Sequence, residues 1–269
     1  MLEILSYPFF QRALIAAVLV SVVCGIIGTY IVSRRLVFLS GSISHASFGG
    51  IGIGYYFGFN PIIGAAVFSI LAAFIIETIT RKTRMRADSL IGILWSFGMA
   101  LGIIFIFLTP GYAPNLMSYL FGSILTVSWF DIGAIAAISL AVAAVFFLLY
   151  REIIYLAFDE EYAMTQGLPV RVINFILLSL IALTIVMNIR IVGIILVISL
   201  LTIPQVTSAL FTSDFKNQMW LSIFFALMAS CSGLIASYWL EIPSGASIIF
   251  TSVIIFLLAR LAKRVFMKQ

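Results

Sequence analysis

Residues 62–86 read IIGAAVFSILAAFIIETITRKTRMR. From Ile62 to Thr80 the only charge is Glu77, and the cations Arg81, Lys82, Arg84 and Arg86 then follow closely. An apolar run of about 20 residues is what a helix needs to cross a bilayer. Lys and Arg collect on the cytoplasmic flank of such helices. This stretch is therefore a membrane span ending in the cytoplasm, and it anchors the topology of the whole chain. Upstream, Ala13–Val32 forms a first span closed by Ser33-Arg34-Arg35, after an interfacial segment over Met1–Phe10 that is broken at Pro8. Leu36–Phe57 forms a second span, and the uncharged Asn60-Pro61 turn suits the outer face.

Downstream, Ser89–Leu108 forms the fourth span, with Gly98 and Gly102 in a spacing that permits close helix approach. Pro110, Gly111 and Pro114 interrupt Thr109–Ser128, and Leu116–Leu125 is too short to cross, so an outer loop with a re-entrant or interfacial helix is expected there. Irregular backbone at membrane depth requires shielding by protein or a water-filled cavity. The fifth to ninth spans are Phe130–Tyr150, Val172–Met187, Ile191–Leu210, Met219–Leu240 and Gly245–Leu261. Arg190 falls on the outer side, and Arg260, Lys263, Arg264 and Lys268 close the chain on the inner one. The expected fold is all-α, a polytopic transmembrane helical bundle of about eight to nine spans. It forms a single domain over 1–269, N-terminus out and C-terminus in. The first apolar run has no small-residue cleavage pattern after it and reads as a retained helix.

Composition agrees. Hydrophobic residues make up 63% of 269 residues and charged ones 9%, against roughly a quarter charged in soluble domains. The net charge of +5 resides at span ends rather than in a patch, which argues against a nucleic-acid partner. Cys24 and Cys231 lie in separate apolar runs and read as free thiols. No GxxxxGK[ST] phosphate loop, HExxH helix or Ser/His/Asp set occurs, so the chain is not expected to be an enzyme or to bind ATP in the usual way.

Two segments stand apart. Residues 151–171, REIIYLAFDEEYAMTQGLPVR, are the longest polar stretch. Glu160 and Glu161 suit the N-terminus of a short helix over Tyr162–Gln166; Gly167 fits a left-handed stop, and Pro169 prevents continuation. A short cytoplasmic helix between two spans is expected. The second segment is the Gly/Ser-rich second span, which holds the chain's one histidine, His45. Helical spacing puts Gly41, His45, Gly49, Gly52 and Tyr56 on one face. Ionisable groups inside a membrane are costly and point to function, and imidazole suits first-row transition metals. A neutral histidine bonded to a neighbouring helix, with glycines serving packing, is the structural alternative. Glu77 is expected to pair with Arg81, Asp131 to favour its helix N-terminus, and the four tryptophans to mark span ends.

Glu161-x-Ala163-x-x-x-Gly167 resembles the coupling-helix signature of ATP-binding-cassette importer permeases. Further segments resemble the zinc/manganese/iron (ABC-3 type) permeases of that class. They are Ser44-His45-Ala46 with its glycine-rich run, Ala87–Leu94, Tyr119-Leu120-Phe121-Gly122, and Val192–Val197 leading to Ile203-Pro204. The resemblance covers nearly the whole chain in order. It implies a fold similar to vitamin B12 and siderophore permeases. It also implies a permease homodimer in the cytoplasmic membrane of a prokaryote, with two separate ATPase subunits docking on Glu160, Glu161, Ala163, Gly167, Leu168 and Pro169. An extracytoplasmic substrate-binding protein would deliver the cargo. That cargo would be a transported zinc, manganese or iron ion, with no permanently bound cofactor. Candidate metal ligands are His45, Ser44 and Ser42, with Gly41, Gly49 and Gly52 lining or packing the path. Family members commonly carry an aspartate where this chain has Gly41 and a carboxylate where it has Ser123. A metal chelate or small solute as cargo, or an ATPase-independent carrier or channel, are the alternatives.

Overall fold

A computed structural model describes residues 7–82, 87–110, 122 and 124–266. Among these there are twelve α-helices and no strand. They are α1 (Pro8–Ser33), α2 (Val37–Phe57), α3 (Pro61–Lys82), α4 (Ala87–Leu108), α5 (Trp129–Leu148), α6 (Tyr150–Phe158), α7 (Glu160–Thr165), α8 (Val170–Val192), α9 (Ile194–Leu200), α10 (Ile203–Ser208), α11 (Phe215–Leu240) and α12 (Ser244–Phe266), with a 3-10 turn at Ile124–Thr126. Most of the expected re-entrant segment, Ser123, Arg84, Arg86, Lys268 and the start of the interfacial segment lie outside the described residues, as does the side chain of Arg81.

Among the described residues, seven helices are long and apolar enough to span a membrane: α1, α3, α4, α5, α8, α11 and α12. α1 is the most enclosed, with 72% of its apolar window buried. It packs on α5 and α11 and supplies Val20, Ile27, Tyr30 and Ile31 to the core. α2 also has the length of a span, but serines and glycines make up much of it. A helix so polar tolerates a bilayer only when neighbours cover it, and α3 and α4 press on it from two sides.

The expected seventh span, Ile191–Leu210, is not one helix. α8 stops at Gly193, whose φ of 80° is closed to most residues, α9 runs only to Leu200, and α10 restarts with Pro204 near its first position. Proline suits a helix start because it has no N–H to donate. The broken pair is held by polar contacts that lipid could not supply. The buried Gln205 Nε2 donates to Cys24 O at 2.9 Å and Leu200 O at 3.1 Å, and the Ser208 and Ser222 hydroxyls lie 2.8 Å apart. Ser21 donates to Ser230 at 3.0 Å, tying α1 to α11. Such interhelical bonds contribute about 0.6 kcal/mol each.

Contacts define two ends of the bundle. At one, Arg34 meets Glu160 and Phe215 meets Phe158 and Tyr150. At the other, Phe10 meets Tyr238, and Arg190 Nε lies 3.0 Å from Asp131 Oδ1. That ion pair accounts for the outlying Arg190, since the buried Asp131 neutralises it while also closing a capping box with Ser128. Trp129, Trp220 and Trp239 are exposed near helix ends, as expected of interfacial anchors. Trp95 is not such an anchor, because it is half-buried against His45. Cys24 and Cys231 are free thiols.

Candidate functional site

The site has two parts, on different elements. The first is the α2 wall. Glycines let α2 approach its neighbours to backbone contact: a Cβ on Gly50 would run into the Gly64 carbonyl of α3, and one on Gly52 would lie 2.5 Å from Gly102 O of α4. Gly98 faces Ala46 just as closely, so the Gly98/Gly102 pair on α4 provides the close approach its spacing predicts. Gly49 lies against the Phe68 ring of α3. The expected single stripe therefore divides, with Gly49 turned to α3 and Gly41, His45 and Gly52 turned to α4.

Gly41 differs from these packing glycines. A Cβ there would meet only Trp95 at 3.7 Å and Ile198 of α9 at 4.0 Å, which is ordinary contact. One turn on, the His45 imidazole stacks on the Trp95 indole, with centroids 4.2 Å apart and planes 12° apart. His45 Nδ1 is buried and makes no hydrogen bond among the described residues. In the tautomer that carries its proton on Nε2, this unpartnered nitrogen presents a lone pair, and the stack fixes the ring plane. The Ser42 hydroxyl donates to Ile91 O of α4 at 3.0 Å, and the Ser44 hydroxyl to Ser40 O at 2.8 Å. Both protons are committed to backbone, and each oxygen retains lone pairs. Among the described residues no group of three or more His, Cys, Asp or Glu side chains could hold a metal ion.

The second part is the connector between α5 and α8. α7 starts two residues before the expected Tyr162 and ends one before the expected Gln166, because Asp159 is the N-cap: its carboxylate accepts from Tyr162 N at 2.9 Å. Asp, three residues before that amide, is the usual N-cap signal and was readable in the sequence. Gly167 takes φ 74°, the left-handed stop its position predicts, and Gly167 N–H bonds Met164 O. Ala163 is fully buried beneath the connector, whereas Glu161, Tyr162, Met164 and Gly167 face outward. Tyr155 of α6 and Tyr162 of α7 meet edge to face at 5.4 Å and hold the two short helices together.

Arg34, at the end of α1, is the residue that sequence reasoning missed. Its guanidinium donates to Glu160 Oε2 at 2.9 Å and to Leu156 O. Both side chains of the ion pair are about one-fifth exposed, at 20% and 22%. Only topology brings Arg34 to Glu160, so no local spacing could have revealed it. Through this pair the connector is fastened to the most enclosed helix of the bundle.

A charge-poor helical bundle with a polar, glycine-packed inner helix and a capped polar connector at one end is the architecture of a polytopic membrane permease. The model of the ABC 3 transport family matches residues 6–263, and the chain belongs to that family. It is similar to the manganese transport system membrane protein MntC of Halalkalibacterium halodurans, with 35% identity over 96% of this chain and 88% of the relative. The structure of PsaBC from Streptococcus pneumoniae in complex with Fab superposes with a TM-score of 0.86 at 32% identity, covering 96% of this chain and 93% of that one. An inward-facing metal-chelate type ABC transporter shares the fold at 17% identity, with a TM-score of 0.71 over 94% and 85% of the two chains. The chain is an integral membrane protein.

Proposed function

We propose that this chain is the permease subunit of an ATP-driven importer that moves a divalent transition metal into the cytoplasm. The observation that carries the reading is the family match over 6–263 together with the similarity to a manganese transport permease over almost the full chain. The energy source would be a separate ATPase subunit docking on Glu160, Glu161, Ala163, Gly167, Leu168 and Pro169. The outward faces of Glu161 and Gly167 support this, as does the tie from Glu160 to α1. Two permease copies, two ATPase subunits and an extracytoplasmic binding protein complete the proposed assembly. The whole chain would act as one membrane domain in the cytoplasmic membrane of a prokaryote, N-terminus out and C-terminus in. The orientation is supported by Arg34, Arg35, Lys82, Arg151, Arg171 and Lys216, which gather at the connector end, while Arg190 at the far end is neutralised by Asp131.

The metal is cargo, and His45 is its proposed contact, aided by the Ser42 and Ser44 oxygens. Gly41, Gly49 and Gly52 set the wall of the path. Since one chain offers few ligands, a second copy across the path would contribute its own imidazole. Gly41 stands where family members commonly carry an acid, and this favours a second reading in which a chelated metal or other small solute passes. Reconstitution with the ATPase and binding protein in proteoliposomes separates the readings. Manganese, zinc or iron on the binding protein should stimulate ATP hydrolysis and ion uptake. If none of the three does so while a chelate does, the free-ion reading is wrong. Transport without any ATPase would remove the importer reading altogether.

A further inference from the structure

Neither part of the site uses the groove between α3 and α8 at the connector end. It encloses about 310 Å³. Its walls are Ile70, Phe74, Phe175 and Leu178, and its rim carries Lys82 and Arg171. Phe74 and Phe175 meet edge to face, centroids 6.0 Å apart, and each remains about half exposed at 50% and 47%. The apolar surface continues beyond the groove through the exposed Leu71 and Val172. Lys82 is the last residue of α3 and Arg171 the second of α8, so both cations lie at one level, where the spans end. Both are exposed, and neither makes an ion pair or hydrogen bond with another described residue. Glu77 shares the wall, but its carboxylate accepts from Asn174 Nδ2 at 3.3 Å. Among the described residues the mouth therefore carries two cations, Lys82 and Arg171, and one carboxylate, Glu77.

We propose that this groove seats one acidic phospholipid, its phosphate against Lys82 and Arg171 and an acyl chain along Phe74 and Phe175. The charge complements an anionic headgroup at the depth where headgroups lie, and the long stems of Lys and Arg reach that level from an apolar wall. A free phosphate would leave the apolar wall without a partner. A second copy packed here about a two-fold axis would bring the same two cations toward their own images. The inference depends on neither the cargo nor the orientation of the chain.

The full chain, stripped of lipid in mild detergent, is titrated with short-chain phosphatidylglycerol, phosphatidylcholine and inorganic phosphate, and bound adducts are read by native mass spectrometry. Phosphatidylglycerol should bind at least tenfold more tightly than phosphatidylcholine, and inorganic phosphate should not displace it at equal concentration. A Lys or Arg near an anionic surface contributes roughly fivefold in binding. The double variant Lys82→Gln/Arg171→Gln should therefore bind phosphatidylglycerol roughly 30-fold more weakly. The charge-preserving Lys82→Arg/Arg171→Lys variant should bind like the parent, which keeps the test decisive if the neutral variant is unstable. Lys216→Gln is the control, because Lys216 rims a second apolar groove of about 470 Å³ beside Trp220 and Phe146 with no second cation. Equal binding of the two phospholipids, full displacement by inorganic phosphate, or an equal loss in Lys216→Gln would each overturn the proposal. Disulfide cross-linking of two copies through Val172→Cys at this face would overturn it as well.

Discussion

The α2 wall and the α6–α7 connector are both comparatively polar parts of an apolar molecule, yet they are built on opposite principles. α2 is defined by side chains that are absent: glycines admit the α3 and α4 backbones, and Gly41, one turn before His45, is the α2 glycine whose added Cβ would meet only ordinary contacts. The connector is defined by side chains that are present: Asp159 caps α7, two tyrosines clasp it, and Glu160 fastens it to Arg34. A wall made by close packing resists change because no neighbour can yield. A connector made by caps and one ion pair can be loosened while the bundle stays folded. That would suit the proposed roles, a wall that shapes a path and a connector that couples to an ATPase subunit.

The contrast is broken most directly at Gly50. Gly50→Val should prevent folding, since the new side chain meets backbone of α3, and overpacking costs roughly 3 kcal/mol or more where nothing can shift. Loss of monodisperse protein in size-exclusion chromatography checks this; a folded variant would show that α2 is not so tightly held. Gly167→Val should cost about 1–2 kcal/mol of local strain at its positive φ. Its bundle should stay folded while transport-coupled ATP hydrolysis falls at least tenfold. Retained coupling would remove the connector from the docking reading.

Arg34→Gln comes next. It leaves Glu160 without its partner and should cost about 2 kcal/mol at most, because both groups are partly solvated. The expected signature is ATP hydrolysis less tightly tied to uptake, with faster amide exchange confined to α6 and α7. Exchange that speeds up across α1 as well would mean that the pair holds the bundle rather than the lever. His45→Ala should change stability by only about 1 kcal/mol, the worth of an aromatic stack, yet reduce metal uptake severely. Unaltered uptake would take His45 out of the path. The smallest effect is expected for Gly41→Ala. With only ordinary contacts to Trp95 and Ile198, it should be neutral or raise stability by about 0.5–1 kcal/mol, the usual helical gain over glycine. A large loss would show that Gly41 is a packing glycine like Gly50.

Much of this was legible in residue order. The basic run after α3 identified a span end, and Gly167 with Pro169 marked where α7 stops and α8 begins. Asp159 is equally legible as an N-cap, beside the charge of Glu160 and Glu161. The break in Ile191–Leu210 was harder to read. Its hydropathy is continuous, and the interruption at Gly193 and Pro204 is accompanied by buried partners for Gln205 and Ser208 on α1 and α11. Arg190 is out of place by sequence alone, and its partner Asp131, far away in sequence, lies beside it in the fold.

By itself the sequence determined that this chain lives in a membrane as a helical bundle, because apolar length and charge placement act locally and need no partner. It also determined the start and stop of the connector helix, since caps are set by neighbouring residues. Only the tertiary structure decided which glycines admit a neighbouring backbone and which would tolerate a methyl group, that His45 rests on Trp95, and that Arg34 holds Glu160. Those facts depend on helices far apart in the chain meeting side by side, and no spacing along one helix carries that information.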